Sequence, residues 1–242
     1  MYNDTHRSFL QYMIGKGCVS LDKSINIYND LCNESYSSHV KLEAFIKEIN
    51  KCIGEQSLKI NVLTCEVTGE QFVVLVQMLV DGSSKLNSSY TTIESEYFHN
   101  LVNELVVTDE KKLKHIFCLN LASSLSGTFS REAAQNVLQR CFSNGYLRLK
   151  DGEVYLGPRC ISEFTPYFYK DYEEYIVKCN LCSELVFTGV ACANCDHLMH
   201  RSCMEKFQKK RSKCPNCKNP WIEKEVDDER RVEEESSSDN DE

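Results

Sequence analysis

The chain has 242 residues, a formal net charge of −8 and 14 cysteines, and no apolar run approaches the ~18 residues of a membrane-spanning helix. The charge is not spread: residues 223–242 hold eleven acidic and three basic side chains, net −8, while residues 1–222 balance at 25 of each sign. Seven cysteines (Cys18, Cys32, Cys52, Cys65, Cys118, Cys141 and Cys160) are scattered without pairing, which argues against a disulfide framework and for free thiols in a reducing cytosol or nucleus. The first residues, MYNDTHRSFL, carry no basic-then-apolar leader. A soluble intracellular protein with no membrane partner is expected.

The first unit, residues 1–85, opens on helical periodicity. Phe9, Leu10, Met13 and Ile14 share a face before Gly15 and Gly17. Ser20 is placed to cap a second helix bearing Leu21, Ile25, Tyr28 and Leu31. Ser37 or Ser38 is placed to cap a third, in which Leu42, Phe45, Ile46, Ile49 and Ile53 follow the i, i+3, i+4, i+7 pattern. The period then changes: LKINVLTCEV and EQFVVLVQML are β-rich runs joined at Thr68-Gly69. Three helices and a hairpin predict a winged helix.

DGSSKLNSS, residues 81–89, is a polar break, and the same plan recurs over residues 90–166. Tyr97, Leu101, Leu105 and Val106 mark one helix; Leu113, Ile116, Phe117 and Leu121 mark another. Ser130 is placed to cap a third, with Ala134, Val137, Leu138, Cys141 and Phe142 as its buried stripe and Asn144-Gly145 as its stop. YLRLK and EVYL flank Asp151-Gly152, a dipeptide suited to a type I′ turn. After Gly157-Pro158, a helix through Ile161 and Phe164 is expected to end near Pro166. This predicts a second winged helix. Winged helices serve as DNA readers or as protein-docking modules. The third helices offer few unopposed cations (Arg131 and Arg140 beside Glu132; Lys41, Lys47 and Lys51 offset by Glu43 and Glu48), which favours docking, with a shared DNA contact left open.

Residues 167–178 form a connector rich in aromatics (Tyr167, Phe168, Tyr169, Tyr172 and Tyr175, with Phe164 just before). Packing within the chain is the plainer reading, and facing a partner the other. Residues 179–222 then carry the densest chemical signal. CNLC, nine residues, CANC, four residues, His200, two residues, Cys203, ten residues and CPNC supply eight ligands, enough for two tetrahedral zinc ions. RING variants and PHD fingers share this order. Ser212, where a PHD finger usually has an aromatic, and Pro215 inside the last pair both favour RING. In a RING cross-brace, alternate pairs share a metal: Cys179, Cys182, His200 and Cys203 on one zinc, Cys192, Cys195, Cys214 and Cys217 on the other. His197 rivals His200, which is preferred because it forms an H-x-x-C pair with Cys203. So short a module cannot bury enough apolar surface to fold unaided, and with every position filled by protein, neither zinc is expected to activate water. Lys206, Lys209, Lys210, Arg211 and Lys213 form a basic run that either offsets the thiolate charge or meets DNA, the acidic tail or an acidic partner. Residues 223–242 are expected to form a disordered acidic tail, with Ser236, Ser237 and Ser238 as candidate phosphorylation sites.

The chain is thus read as an α+β multidomain protein: two tandem winged helices, a two-zinc cross-brace RING-like domain and an acidic tail. This layout, with CNLC, CANC, MHRSC and CPNC, Trp221 four residues on, and THRSFLQYMI, AAQNVLQRCFSNGYL and LGPRCISEF upstream, resembles the RING-bearing non-SMC element one family of the Smc five/six chromosome-maintenance complex. The resemblance implies a nuclear protein that pairs with a MAGE-domain subunit through its winged helices, joins a kleisin subunit, and acts in DNA repair and recombination. It also implies a RING-type ubiquitin ligase whose activity depends on the MAGE partner. Leu181, Pro215 and Lys218 then match the positions at which RING domains touch a ubiquitin-conjugating enzyme, although many active RINGs place arginine where Lys218 stands. The alternative is a structural adaptor with no ligase activity.

Overall fold

The computed structural model describes residues 2–34, 41–77 and 90–224. Ser37 and Ser38, the polar break at 81–89 and residues 225–242 with Ser236, Ser237 and Ser238 lie outside the described residues. Among the described residues, no helix is long and apolar enough to cross a membrane.

The first unit runs α1 (Asp4–Lys16), β1 (Cys18–Ser20), α2 (Leu21–Glu34), α3 (Leu42–Ile53), β2 (Leu58–Thr64) and β3 (Gln71–Gln77). Helix α3 buries Phe45, Ile46, Ile49 and Ile53 against Phe9 and Met13 of α1 and Tyr28 of α2. Its N-cap is Lys41, which makes no side-chain capping bond. The hairpin is present, with Gly69 at φ +73 in its turn. Sequence periodicity missed β1: three residues carry no period of their own, yet β1 pairs antiparallel with β3, Val19 opposite Val73. The resulting sheet has the order β1-β3-β2. Strand β3 is buried on both faces, which is why FVVLV lacks alternation. Val73 and Leu75 belong to the first unit's core, while Phe72, Val74 and Val76 form a separate cluster with Cys65.

The second unit repeats the order: α4 (Thr92–Val107), β4 (Lys112–Lys114), α5 (His115–Asn120), α6 (Arg131–Ser143), β5 (Leu147–Lys150), β6 (Glu153–Leu156) and α7 (Pro158–Asp171). Thr91 and Glu94 form a reciprocal capping box at the start of α4. Ser130 caps α6 by accepting from the Ala133 N–H at 3.0 Å. Asp151 and Gly152 both adopt positive φ, +51 and +76, as the tight turn between β5 and β6 requires.

Two expectations fail here. The second helix is shorter than its pattern implied, because Leu113 lies in β4, paired with Val154. Ile116 and Phe117 are exposed, and Cys118, Leu119 and Ala122 carry the buried side instead. Helix α7 does not stop at Pro166 but runs to Asp171. A proline there removes one N–H donor to the preceding turn and strains it by about 3 kcal/mol. Beyond it, however, Phe168 is fully buried on the same face as Phe164, and burial of such a side chain offsets much of that cost.

Helix α7 also joins the two units. Arg159 and Glu163 form an ion pair at 3.0 Å with side chains only 13% and 4% exposed. The Tyr146 hydroxyl donates to the other Glu163 oxygen at 2.8 Å, and the Arg159 guanidinium lies 4.6 Å from the Tyr146 ring centre. On the first unit, Gly17 (φ +70) faces this guanidinium so closely that any side chain there would collide with it. Arg159→Ala would take the cation from a buried carboxylate, and a loss of about 3–5 kcal/mol is expected. Chemical denaturation measures it; a loss below about 1 kcal/mol would mean that the carboxylate's remaining partners, the Tyr146 hydroxyl among them, suffice.

The last module comprises β7 (Val177–Lys178) paired with β8 (Leu185–Val186), β9 (Val190–Ala191) paired with β10 (Leu198–Met199), and α8 (Arg201–Gln208). The connector is no tether. Its first residues are the last turn of α7, and Tyr167 and Tyr172 stack edge to face with hydroxyls 3.1 Å apart. Phe168 meets Phe187 of the last module at 5.2 Å. The chain returns at the end, where the Ala193 N–H donates to the Ile222 carbonyl and the Lys224 N–H to the Ala191 carbonyl, both at 2.9 Å.

Candidate metal centre

Three C-x-x-C pairs in this module fold by one local rule. In each, the residue after the second cysteine turns left-handed: Ser183 at φ +64, Asp196 at +52 and Lys218 at +64. Its N–H donates back to the carbonyl of the first cysteine, at 2.8 Å to Cys179, 2.8 Å to Cys192 and 3.1 Å to Cys214. The turn holds both sulfurs on one side. The H-x-x-C pair instead uses helix geometry, with His200 as N-cap of α8 and Cys203 within its first turn.

These pairs converge alternately. Cys179, Cys182, His200 and Cys203 form one group of donor atoms within 4.8 Å of one another, and Cys192, Cys195, Cys214 and Cys217 form the other. His197 stays out of both groups, its Nε2 3.1 Å from the Lys178 carbonyl. Two sulfur pairs in the second group, Cys192 with Cys217 and Cys195 with Cys214, stand 3.9 Å apart. A disulfide needs about 2.05 Å. A tetrahedral ion with bonds of about 2.3 Å to sulfur spaces its sulfurs by about 3.8 Å. In the first group, His200 Nδ1 lies 3.3 Å from Cys182 Sγ and 3.8 Å from Cys203 Sγ. The donor sets fit zinc, and neither keeps an open position for substrate or water.

The acid–base balance of the thiols agrees with a central cation. Burial opposes ionisation of Cys179, but backbone N–H groups of Leu181, His200 and Cys182 outweigh it and lower its pKa to about 7. The Asn216 side chain and the His197 backbone lower Cys195 to about 7. Burial, then repulsion from Cys179 and Cys182, pushes Cys203 up to about 12. Burial is also the largest influence on Cys214, raised to about 11. In the first set the thiolates of Cys179 and Cys182 oppose ionisation of Cys203, and a dication would remove that opposition. His200 is also shifted. Burial disfavours its charged form, but the Glu66 carboxylate and the neighbouring thiols raise it to about 10.

The remaining predicted site residues lie at the rim of the first set and the tip of the last pair. Leu181 is half-buried against the module's core, which contains Val186, Val190, Met199 and Met204. Pro215 is half-buried and Lys218 exposed. Asn180 donates to Asn216 at 2.9 Å, tying together the loops that carry Leu181 and Pro215. The Lys218 ammonium donates to the Pro215 carbonyl at 2.5 Å. Lys206, Lys209, Lys210, Arg211 and Lys213 are all exposed. Sequence reasoning missed two contributors. Asn216 serves the second set directly, its side chain donating to Cys195 Sγ and its backbone to Cys214 Sγ, both at 3.4 Å. Glu66, far away in the chain, reaches His200. Asn216 had a signal in its place inside CPNC; Glu66 had none.

Comparison with known proteins places this geometry. Residues 6–126 match the family described as the Nse1 non-SMC component of the SMC5-6 complex, and residues 179–217 match a RING-like domain. A relative named non-structural maintenance of chromosomes element 1 homolog, from Bos taurus, is 30% identical over 227 residues, covering 90% of this chain and 84% of the relative. Proteins of the same name from Homo sapiens and Drosophila melanogaster are 27% and 24% identical, covering 90% and 89% of this chain. Among solved structures, a chain from one titled Nse1-Nse3-Nse4 complex superposes with a TM-score of 0.78 at 25% identity, covering 93% of this chain and 99% of that one.

Proposed function

The chain belongs to the family of Nse1 non-SMC components of the SMC5-6 complex, and we propose that it is that complex's two-zinc RING subunit, acting as a partner-dependent ubiquitin ligase in the nucleus. The observation that carries the reading is the alternate convergence of eight donors in a module whose two exposed loops are tied side by side by Asn180 and Asn216. Zinc supplies folding and rigidity there: Cys179, Cys182, His200 and Cys203 hold one ion, and Cys192, Cys195, Cys214 and Cys217 hold the other. No side chain attacks substrate. The RING holds a ubiquitin-charged conjugating enzyme through Leu181, Pro215 and Lys218 and favours its reactive geometry by proximity and orientation.

The two helical units are read as winged helices used for docking. The likeness to a chain of the Nse1-Nse3-Nse4 complex supports an assembly with a MAGE-domain subunit and a kleisin. Within it, the exposed lysines and arginine near α8 are suited to a shared contact with DNA during repair and recombination.

A reconstituted ubiquitin-chain assay with the MAGE partner tests the ligase reading. Leu181→Ala and Lys218→Ala are each expected to reduce output about tenfold, the effect of removing an interface anchor worth about 1.4 kcal/mol. Equal output from all three proteins would support the structural-adaptor reading instead. One observation favours that second reading: the Lys218 ammonium is already bonded within its own loop.

A further inference from the structure

Glu66 sits in the turn between β2 and β3 of the first unit, 134 residues before His200. Its side chain is only 7% exposed. Oε2 accepts from two backbone N–H groups of the last module, Phe187 at 3.0 Å and Thr188 at 2.6 Å. Oε1 lies 3.0 Å from His200 Nε2. The same imidazole nitrogen lies 2.9 Å from the Leu185 carbonyl. Two acceptors on Nε2 hold a proton there, which leaves Nδ1, 3.3 Å from Cys182 Sγ, as the nitrogen that would face an ion held by the thiols. A buried carboxylate whose acceptor capacity is spent on one short loop and one ligand ring is a built site. It is more than a surface ion pair.

We propose that Glu66 is the positioning residue of the first metal centre, so that the first helical unit completes a site otherwise made wholly by the last module. The proposal rests on reading Cys179, Cys182, His200 and Cys203 as a zinc site. The carboxylate fixes the imidazole plane and tautomer and raises the basicity of Nδ1, as outer partners of metal-bound histidine do. It also pins the Phe187-Thr188 backbone, whose Phe187 ring packs on Phe168 of α7. The second centre, made of cysteines alone, has no such link to the first unit among the described residues. Detaching the first unit should therefore loosen one metal and spare the other.

The test uses the full chain and two variants. In Glu66→Gln, the amide oxygen can still accept from the Phe187 and Thr188 N–H groups, but its NH2 cannot accept from the imidazole. Glu66→Ala removes both functions. Zinc release is followed with a chromophoric chelator. Cobalt(II) substitution then distinguishes a three-sulfur, one-nitrogen site from a four-sulfur site by its visible absorption. The wild type should hold two ions, and both variants should lose the ion of the mixed site about 10- to 100-fold more readily, with the four-sulfur site unchanged. Exchange protection of the Phe187 and Thr188 amides should persist in Glu66→Gln and fall in Glu66→Ala. Wild-type release at both sites, or equal acceleration at both, would overturn the positioning role while leaving the two-zinc reading intact. A wild type with no metal at the mixed site would overturn both.

Discussion

Cys214→Ser is expected to leave the protein with one bound zinc in place of two and to loosen the part of the last module that the second ion holds. Cys214 is fully buried, and its Sγ stands 3.9 Å from that of Cys195. A serine hydroxyl does not ionise near neutrality and is a poor donor to a soft site. The buried residues of this module that are not ligands are only Val186, Val190, Met199 and Met204, with Leu185 and Phe187 turned to the second unit's core. Structural zinc in small modules contributes on the order of 10–16 kcal/mol, far more than four apolar side chains at about 1.5–3 kcal/mol each can replace against chain entropy. Native mass spectrometry counts the metal. Limited proteolysis should show cleavage within residues 179–224 at least about tenfold faster, while the two helical units, each with its own core, resist. Two zincs bound to the variant would show that the site tolerates three sulfurs.

Phe168→Ala should be among the most destabilising single changes outside the metal centres. Phe168 is fully buried, its ring 5.2 Å from Phe187 and 6.3 Å from both Phe164 and Tyr172. Truncating a buried phenylalanine costs about 3–5 kcal/mol, which for a chain of this length lowers Tm by roughly 10 °C. The cavity would open where α7 meets the last module, so hydrogen exchange should quicken at Phe187 and Thr188 as well as in α7. A drop in Tm with unchanged exchange at those amides would mean that Glu66 alone holds the loop.

Short-range chemistry accounts for what could be read without coordinates. Asp151-Gly152 names its own turn because both positions need positive φ. Ser130 names its helix start because its hydroxyl answers an N–H three residues on. The cysteine pairs of the candidate metal centre were legible for the same reason: two cysteines separated by two residues are brought together by one turn, whatever the remainder of the chain does. His200 could be preferred over His197 because a helical first turn places residues three apart on one side. Pro166 misled because the local rule against proline within helices is real but was outweighed by Phe168, whose partner lies in another module.

Composition, spacing and turn residues were thus enough to place most of the helices, the hairpins and the two groups of cysteine and histidine donors, all of them features whose causes lie within a few residues. Folding in three dimensions settled the third strand of the sheet in each helical unit, the burial of β3 on both faces, the passage of α7 through Pro166 and the reach of Glu66 to His200. Each of these depends on surfaces brought together across long stretches of chain. A carboxylate 134 residues from its imidazole leaves no period, motif or spacing by which it could be found.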